Sequence, residues 1–256
     1  MAKTISTAVR ELCLGFPDTA ETLSHGSPTF KVSGKAFATF TVNHHGDGRV
    51  ALNVHSPAGA QQLHTEMEPD HYFVPPYVGP KGWLGMELNG DLDWVTVANR
   101  VREAWDNAAP AKLRITLGDT PYIDPPDEKM SPDQINPFLR PRALEVMGEL
   151  DTLCRVLPES TPATQFGNPV YKAGKKTFVS SHCYQGRLCL QFWVGADQQA
   201  MLCYDERYRV PAYIGRNGWV ELDVEEYCDW AEIEPLLMNS YRHFALKRML
   251  KALDTV

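Results

Sequence analysis

Apolar residues recur at helical spacing near the N-terminus and again a little past the middle of the chain. The first stretch ends at Pro17 and the second at Pro158, as expected where a proline stops a helix. The apolar positions of the two predicted helices are Ile5, Val9, Leu12 and Phe16, and Met147, Leu150, Cys154 and Leu157. The same kind of element therefore starts twice along the chain.

Runs of alternating apolar and polar residues follow the first helix. They predict three strands, over about residues 29–32, 35–42 and 49–54. A helix is predicted to start near Pro57, because proline fits the first turn of a helix. Two further strands, over about residues 72–78 and 83–88, flank a glycine-bounded turn.

A long apolar helical stripe closes each half of the chain. Its members are Trp94, Val97, Val101, Trp105 and Ala108, and in the second half Trp230, Ile233, Leu237, Tyr241 and Phe244. Asp91 or Asp93 is expected to cap the first of these helices, and Pro235 to limit where the second begins. The order is helix, three strands, helix, two strands, helix. Meandering strands imply an antiparallel sheet packed by helices, which is an α+β domain.

The two halves also share residues in the same order. The longest shared block pairs residues 72–83 with 208–219, and another pairs 26–31 with 167–172. Length differences between the halves fall in predicted turns, where insertions are tolerated. Because the order is kept throughout, we predict a tandem duplication of one α+β domain. Copy one and copy two are predicted to span residues 1–113 and 142–256.

The segment 114–141 between the copies is rich in proline. Proline cannot continue a helix or a central strand, and it restricts the backbone. We therefore predict a semi-rigid linker that lies along the surface of one or both domains.

Four short motifs recur in the two copies: G-x-P-x-F/Y-K, G-K-x-F/A, L-x-L and Y-x-G-x-x-G-W. Together they resemble the MmcQ/YjbR-like family over nearly the whole of each copy. The resemblance implies a frataxin-like or secretion-chaperone-like α+β sandwich, also described as a double-wing DNA-binding fold, and no established reaction. The usual family member has a single domain and a Y-x-N-K-x-H-W turn. The tandem departs from that pattern, as do the glycines at 79, 82, 215 and 218.

Composition and charge narrow the class of protein. The hydrophobic fraction of 43% and the charged fraction of 22% are those of a soluble globular protein. Residues 1–10 lack the apolar run of a secretory signal, and no stretch is apolar enough to span a membrane, so a cytoplasmic location without membrane contact is expected. The net charge is −7, and no segment has the basic excess that usually accompanies phosphate binding.

The sequence carries no recognisable catalytic or metal-binding pattern. The cysteines form no C-x-x-C pair and the histidines form no H-x-x-x-H pair, so neither a zinc site nor a disulfide framework is expected. A G-x-S-x-G nucleophile elbow is also missing. We therefore expect no enzyme activity, no metal and no cofactor.

The candidate binding residues are basic and aromatic residues on the strands and glycine turns. They are Lys31, Lys35, Arg49, Lys81 and Trp83 in copy one, and Lys172, Lys176, Arg187, Arg216 and Trp219 in copy two. The cations would either form a basic face that meets phosphate or guard the sheet against edge-to-edge pairing. The tryptophans would either stack on a base or ligand or belong to the core.

Three classes of function stay open. The first is DNA binding through the basic strand faces, as the family resemblance implies. The second is a protein-interaction or scaffold role, and the third is small-molecule binding in a cleft between the copies. In each case the two copies are expected to act as an intramolecular pseudo-dimer.

Overall fold

The structure is a computed structural model and describes residues 2–255. The chain divides into two compact units, Met1–Ser131 and Pro132–Val256, each with one antiparallel sheet packed by helices. The predicted α+β class and the two tandem copies are confirmed. Among the described residues, none of the helices is both long enough and apolar enough to cross a membrane.

The elements of the first unit follow one another without a crossover. They are α1 (Ile5–Leu14), β1 (Thr19–Ser24), β2 (Ser27–Val32), β3 (Lys35–Val42), β4 (Val50–His55), α2 (Ala60–Met67), β5 (Tyr72–Phe73), β6 (Trp83–Glu87), α3 (Trp94–Ala108) and α4 (Ala111–Arg114). Short 3-10 helices lie at His44–Gly46 and Gly79–Lys81.

The second unit repeats this order after a short helical entry. Its elements are α5 (Pro132–Ile135), α6 (Pro141–Arg155), β7 (Ser160–Gln165), β8 (Asn168–Ala173), β9 (Lys176–Tyr184), β10 (Arg187–Trp193), α7 (Ala196–Leu202), β11 (Tyr208–Arg209), β12 (Trp219–Asp223), α8 (Trp230–Phe244) and α9 (Lys247–Leu253). Short 3-10 helices lie at Pro137–Leu139 and Gly215–Asn217.

The two sheets have the same strand order, β1-β2-β3-β4-β6-β5 and β7-β8-β9-β10-β12-β11. All neighbouring strands are antiparallel. Each sheet also has a register shift at the same place, between Phe30 and Lys31 in one and between Tyr171 and Lys172 in the other. A repeated bulge is a designed feature of a fold, so the duplication extends to the details of strand pairing.

Strands β1 and β7 were not among the predicted elements. Each occupies a sheet edge, and neither buries a residue fully. A strand without a buried face leaves no alternation of apolar and polar residues in the sequence. The order within each copy is therefore helix, four strands, helix, two strands, helix.

The strand predicted over residues 72–78 is much shorter than expected. β5 ends at Phe73, because Pro75 and Pro76 cannot donate hydrogen bonds to a neighbouring strand. In copy two, β11 likewise ends at Arg209, just before Pro211. The chain between β5 and β6 is thus a long loop.

One matched contact lies at the centre of each core. In copy one, the buried Trp105 of α3 packs 5.7 Å from Phe16 and donates its indole N–H to the carbonyl of Pro17, at 3.2 Å. In copy two, the buried Tyr241 of α8 donates its hydroxyl to the carbonyl of Pro158, at 2.6 Å. Both copies thereby tie the last helix to the proline that ends the first helix.

Two expectations about the closing helices are settled by their N-terminal turns. Asp93 caps α3, since its carboxylate accepts the amide of Thr96 at 3.1 Å, and the Asp91 alternative is wrong. The expectation that Pro235 limits the start of α8 is also wrong. The helix begins at Trp230 and continues through the proline, which removes only a single backbone donor.

The predicted linker is anchored along the first unit as far as Ser131. Arg102 donates to the carbonyl of Gly118 at 2.8 Å, Ile123 is buried, and the amide of Asp127 donates to the carbonyl of Lys3 at 2.9 Å. The Asn89 side chain also hydrogen-bonds both backbone groups of Met130. The segment therefore follows a defined path over copy one, and its remainder, from Pro132 onward, belongs to the second unit.

Candidate functional site

The predicted basic residues do not form one cluster in either copy. Lys31 and Lys172 occupy matched register positions on β2 and β8, opposite Ala20 and Thr161. Among the described residues, six of the candidate cations make no ion pair: Lys31, Lys35, Lys81, Lys172, Lys176 and Arg216. These charges are available to solvent.

The two predicted arginines on β4 and β10 are engaged within their own units. The Arg49 guanidinium carbon lies 4.1 Å from the centre of the Phe73 ring. Arg187 forms ion pairs with Asp223 and, at 3.1 Å, with Glu226. These two carboxylates neutralise Arg187, so a basic face on copy two loses one of its expected members.

The long loops after β5 and β11 carry the most exposed matched residues of the two copies. We call residues 74–82 and 210–218 the tyrosine loops. Tyr77 is 69% exposed and Tyr213 is 88% exposed, and each lies three residues after an exposed valine. The predicted cations Lys81 and Arg216 are also exposed within these loops. Each copy thus presents an aliphatic, an aromatic and a cationic side chain together.

Both exposed tyrosines have a strained backbone. The φ angles of Tyr77 and Tyr213 are 64° and 65°, in the region that favours glycine. The amide of Val78 bonds the carbonyl of Pro76 across Tyr77 at 2.7 Å, and Ile214 bonds Ala212 in the same way, also at 2.7 Å. A positive φ within such an i to i+2 hydrogen bond is the rare, strained form of the γ-turn.

A glutamine on the preceding helix holds each tyrosine loop. Gln61 of α2 donates to the carbonyls of Gly79 and Trp83, at 2.8 and 2.5 Å. Gln199 of α7 donates to the carbonyls of Gly215 and Trp219, at 2.7 and 2.5 Å. The loops are therefore fixed at matched points, and each tyrosine is presented on a rigid support.

The glycines of these loops are required by close packing and by backbone conformation. A Cβ at Gly79 would lie 2.4 Å from Val74 Cγ1, and one at Gly215 would lie 2.3 Å from Val210 Cγ1. Gly82 has a φ of 81°, which suits glycine. The glycine-bounded turn predicted from the sequence is thus a packed loop and 3-10 turn, and the glycines serve its shape.

The predicted tryptophans lie beside the tyrosine loops but differ in exposure. Trp83 is half-buried, and its ring centre lies 5.8 Å from that of His55. Trp219 is buried and stacks on Phe244, with ring centres 5.7 Å apart. Of the two, Trp83 alone keeps an accessible face, and Trp219 acts as a core residue.

The tyrosine loop of copy one contacts the turn between β3 and β4. The ring centre of Tyr77 lies 6.2 Å from that of His44 and 5.5 Å from that of His45, both in edge-on arrangements. Burial lowers the pKa of His44, and the charge of His45 lowers it further. The histidine pair that stood out in the sequence therefore belongs to the same surface as Tyr77.

A buried ionic network lies on the sheet of copy two. Glu221 on β12 is only 2% exposed. Its carboxylate pairs with Arg209 at 2.5 Å and His182 at 2.8 Å, and accepts from Gln191 at 2.5 Å. The Arg209 guanidinium also lies 3.9 Å from the centre of the Tyr184 ring. All four groups come from neighbouring strands, so the sheet itself assembles the network.

Copy one replaces this ion pair by an aromatic ring over a glycine. The paired residues Arg209 and Glu221 correspond to Phe73 and Gly85. A Cβ at Gly85 would lie 2.4 Å from the Phe73 ring, so the ring covers the glycine closely. The same place in the fold is therefore apolar in one copy and ionic in the other.

We expect copy two to lose stability in acid because of this carboxylate. Burial acts to raise the pKa of Glu221, but the hydrogen bonds from His182, Gln191 and Arg209 together outweigh it, and the pKa lies below its ordinary value of 4.5. A lowered pKa in the folded state adds stability above pH 4.5, and that contribution is lost as the pH falls through the folded-state value. Urea unfolding followed by hydrogen exchange of β12 should show the loss below pH 4.5, whereas a Glu221→Gln variant should show a smaller dependence on pH. Equal acid sensitivity of the two proteins would contradict the assignment to Glu221.

Comparison with known families agrees with the duplicated geometry. The sequence model of the YjbR family matches residues 14–107 and again residues 155–243, which together are more than half of the chain. The chain belongs to the YjbR family. Each match lies within one of the two predicted copies, so the predicted family resemblance and its tandem arrangement are confirmed.

One solved structure similar to this YjbR chain is the crystal structure of Deinococcus radiodurans protein DR2400, which contains a DUF419 domain. It is 19% identical, with a TM-score of 0.37, and the match covers 42% of this chain and 87% of that chain. No curated protein matches this chain. YjbR is a family of unknown function and is not a known enzyme family.

The sequence prediction missed the two tyrosines that this YjbR protein exposes most symmetrically. Tyr77 and Tyr213 occur within the longest block shared by the copies, each two residues after a Pro-Pro or Pro-Ala pair begins. A repeated aromatic residue inside a proline- and glycine-rich turn was the available signal, because such turns lie at the surface. The sequence could not show that both adopt a positive φ.

Proposed function

We propose that this YjbR protein is a binding protein that docks a protein partner through its two tyrosine loops. The observation that carries the proposal is the exposure of Tyr77 and Tyr213 on strained γ-turns at matched positions. Tyrosine is enriched at the energetic centres of protein interfaces, since it offers a large rigid ring and a polar hydroxyl. Two copies of the same surface on one chain also allow bivalent binding.

The backbone strain supports a role beyond folding. A residue other than glycine at positive φ costs on the order of 1–3 kcal/mol, and such strain concentrates at functional sites. Glycine would relieve that cost at either position. The tyrosine side chains are mostly exposed, so burial of their rings returns little stability to the fold.

The distribution of charge favours a protein partner over nucleic acid. The net charge is −7. Arg187, Arg207 and Arg209 are each paired with carboxylates of their own unit. A phosphate-binding face depends on several converging, unpaired cations, and the arginines of copy two do not supply one.

DNA binding is retained as a second candidate because of the unpaired lysines. Lys31 and Lys172 occupy matched register positions on the two sheets and make no ion pair with the described residues. If these lysines contact phosphate, DNA affinity should fall steeply with salt, and a Lys31→Ala/Lys172→Ala variant should have a shallower slope. A mobility-shift titration that detects no binding at low salt would remove this candidate.

Replacing both loop tyrosines by glycine should stabilise the protein and abolish partner binding. Relief of the positive-φ strain exceeds the added entropy of the unfolded glycine chain, so we expect a gain of about 1 kcal/mol at each site. A Tyr77→Ala/Tyr213→Ala variant should lose binding without that gain, because alanine keeps the strain. Denaturant unfolding measures the stability, and quantitative capture of partners by the immobilised protein, repeated with the purified partner, measures the binding.

The matched control is Tyr204→Ala, which removes a tyrosine that is exposed outside the loops. This variant should retain every captured protein. The proposal fails if the glycine variant captures the same proteins as the wild type. It also fails if the glycine variant is less stable, since the tyrosines would then serve the fold.

A further inference from the structure

A groove of about 250 Å³ lies in copy one between the start of α3 and the anchored linker segment. Ten residues line it: Asp93, Trp94, Val95, Ala98, Asn99, Thr120, Pro121, Tyr122, Ile123 and Pro125. Pockets for drug-sized ligands are typically about 300–1,000 Å³, so this groove suits a small head group. No part of the tyrosine loops contributes to it.

The walls of the groove are held in place from both sides. α3 supplies Trp94 on one side, and the linker supplies Tyr122 on the other. The buried Ile123 fixes the middle of the linker segment, while Arg102 and Lys3 hold its two ends at Gly118 and Asp127. Tyr122 nevertheless remains 76% exposed, so its ring is available to a ligand.

The charge of the groove is negative. Asp93 is its single charged lining residue, and no lysine, arginine or histidine lines it. Asp119 and Asp124 lie next to lining residues in the linker. One oxygen of Asp93 caps the amide of Thr96, which leaves that amide unavailable to an anion. The second oxygen makes no hydrogen bond with the described residues.

We infer that this groove binds a small organic cation of the alkylammonium or quaternary ammonium class. Trp94 and Tyr122 offer aromatic faces, and the attraction of such faces for cations is strongest for tryptophan. The free oxygen of Asp93 supplies the opposite charge at the same place. The prolines and Val95 contact the methyl groups that surround the nitrogen. This inference is independent of the function proposed for the tyrosine loops.

Copy two offers a built-in comparison. Asp229 and Trp230 repeat Asp93 and Trp94 at the start of α8, and Asp229 caps its helix in the same manner. The chain after α8 forms α9 instead of an extended segment with a tyrosine and flanking prolines. The cation groove therefore depends on the linker, and changes at Trp230 should not affect it.

Choline and dimethylbutanol form a matched pair of probes, because the second replaces the nitrogen of the first by a neutral carbon. Calorimetric titration of the full chain should show saturable choline binding and a response to dimethylbutanol that is roughly fivefold weaker or absent. Asp93→Asn keeps a good helix cap and removes the charge, so it should abolish the preference for choline. Trp94→Leu and Tyr122→Ala should each weaken choline binding by roughly fivefold, and Trp230→Leu should leave it unchanged.

The source of the cation is resolved by phosphocholine, which adds an anionic group next to the ammonium. Weaker binding of phosphocholine supports a free amine, because Asp93 repels the phosphate, whereas tighter binding assigns the cation site to a lipid head group. The inference is overturned if choline and dimethylbutanol bind equally. It is also overturned if choline binding does not saturate, or if it survives both Trp94→Leu and Tyr122→Ala. Circular dichroism of each variant confirms that the fold is retained.

Discussion

Replacing Arg209 by phenylalanine should destabilise copy two by about 3 kcal/mol or more. The substitution removes the cation that pairs with Glu221 at 2.5 Å and leaves that carboxylate buried with His182 and Gln191 alone. Breaking a buried ion pair by removing one partner typically costs about 3–5 kcal/mol. Urea unfolding of the full chain, with hydrogen exchange of β12 to localise the change, measures the effect.

Adding Glu221→Gly to this variant should restore most of the lost stability. The double variant recreates in copy two the pair Phe73 and Gly85 that copy one uses at the same register. Glu221→Gly alone should cost less than Arg209→Phe alone, because Arg209 retains contact with solvent and with the Tyr184 ring. A ring that covers a strand glycine compensates for part of its low strand preference.

The cycle of single and double variants isolates the coupling between the two positions. Stabilities that simply add would mean that the two positions are not coupled, and the view that the copies hold alternative solutions at one place would be wrong. A rescue to within about 1 kcal/mol of the wild type would support it. The reverse exchange in copy one, Phe73→Arg with Gly85→Glu, provides the complementary test.

The fold could be predicted to the extent that its elements leave a periodic trace. α1, β3 and α3 have one apolar side and one polar side, so their residues alternate or repeat regularly in the sequence. β1 and β7 are polar edge strands, and their existence depends on hydrogen bonds to β2 and β8. Pairing of that kind is a tertiary fact that a local pattern does not record.

The candidate site was less accessible to sequence reasoning than the fold. Lys81, Trp83 and Arg216 were singled out and do lie in or next to the tyrosine loops. Tyr77 was missed because its significance depends on backbone conformation and exposure. The charges of Arg187 and Glu221 are visible in the sequence, but their mutual compensation with distant residues is not.

Removing the central aromatic residue of either copy should produce the largest loss of stability. Trp105→Ala deletes a fully buried indole that packs against Phe16 and bonds the carbonyl of Pro17. Truncation of a large buried aromatic side chain typically costs about 3–5 kcal/mol, so we expect about 4 kcal/mol for Trp105→Ala and a similar loss for Tyr241→Ala. Urea unfolding measures both variants.

The conservative variants separate the packing from the hydrogen bond in this contact. Tyr241→Phe keeps the ring beside Phe178 and leaves the carbonyl of Pro158 without its donor, so it should cost about 1–3 kcal/mol. Trp105→Tyr places in copy one the residue that copy two uses, and it should lose less than Trp105→Ala because the ring and a donor are retained. If Trp105→Tyr were as damaging as Trp105→Ala, the shape of the indole would be decisive, and the two cores would not be interchangeable solutions. If Tyr241→Phe had no cost, the link between the last helix and the proline that ends the first helix would be a consequence of packing alone.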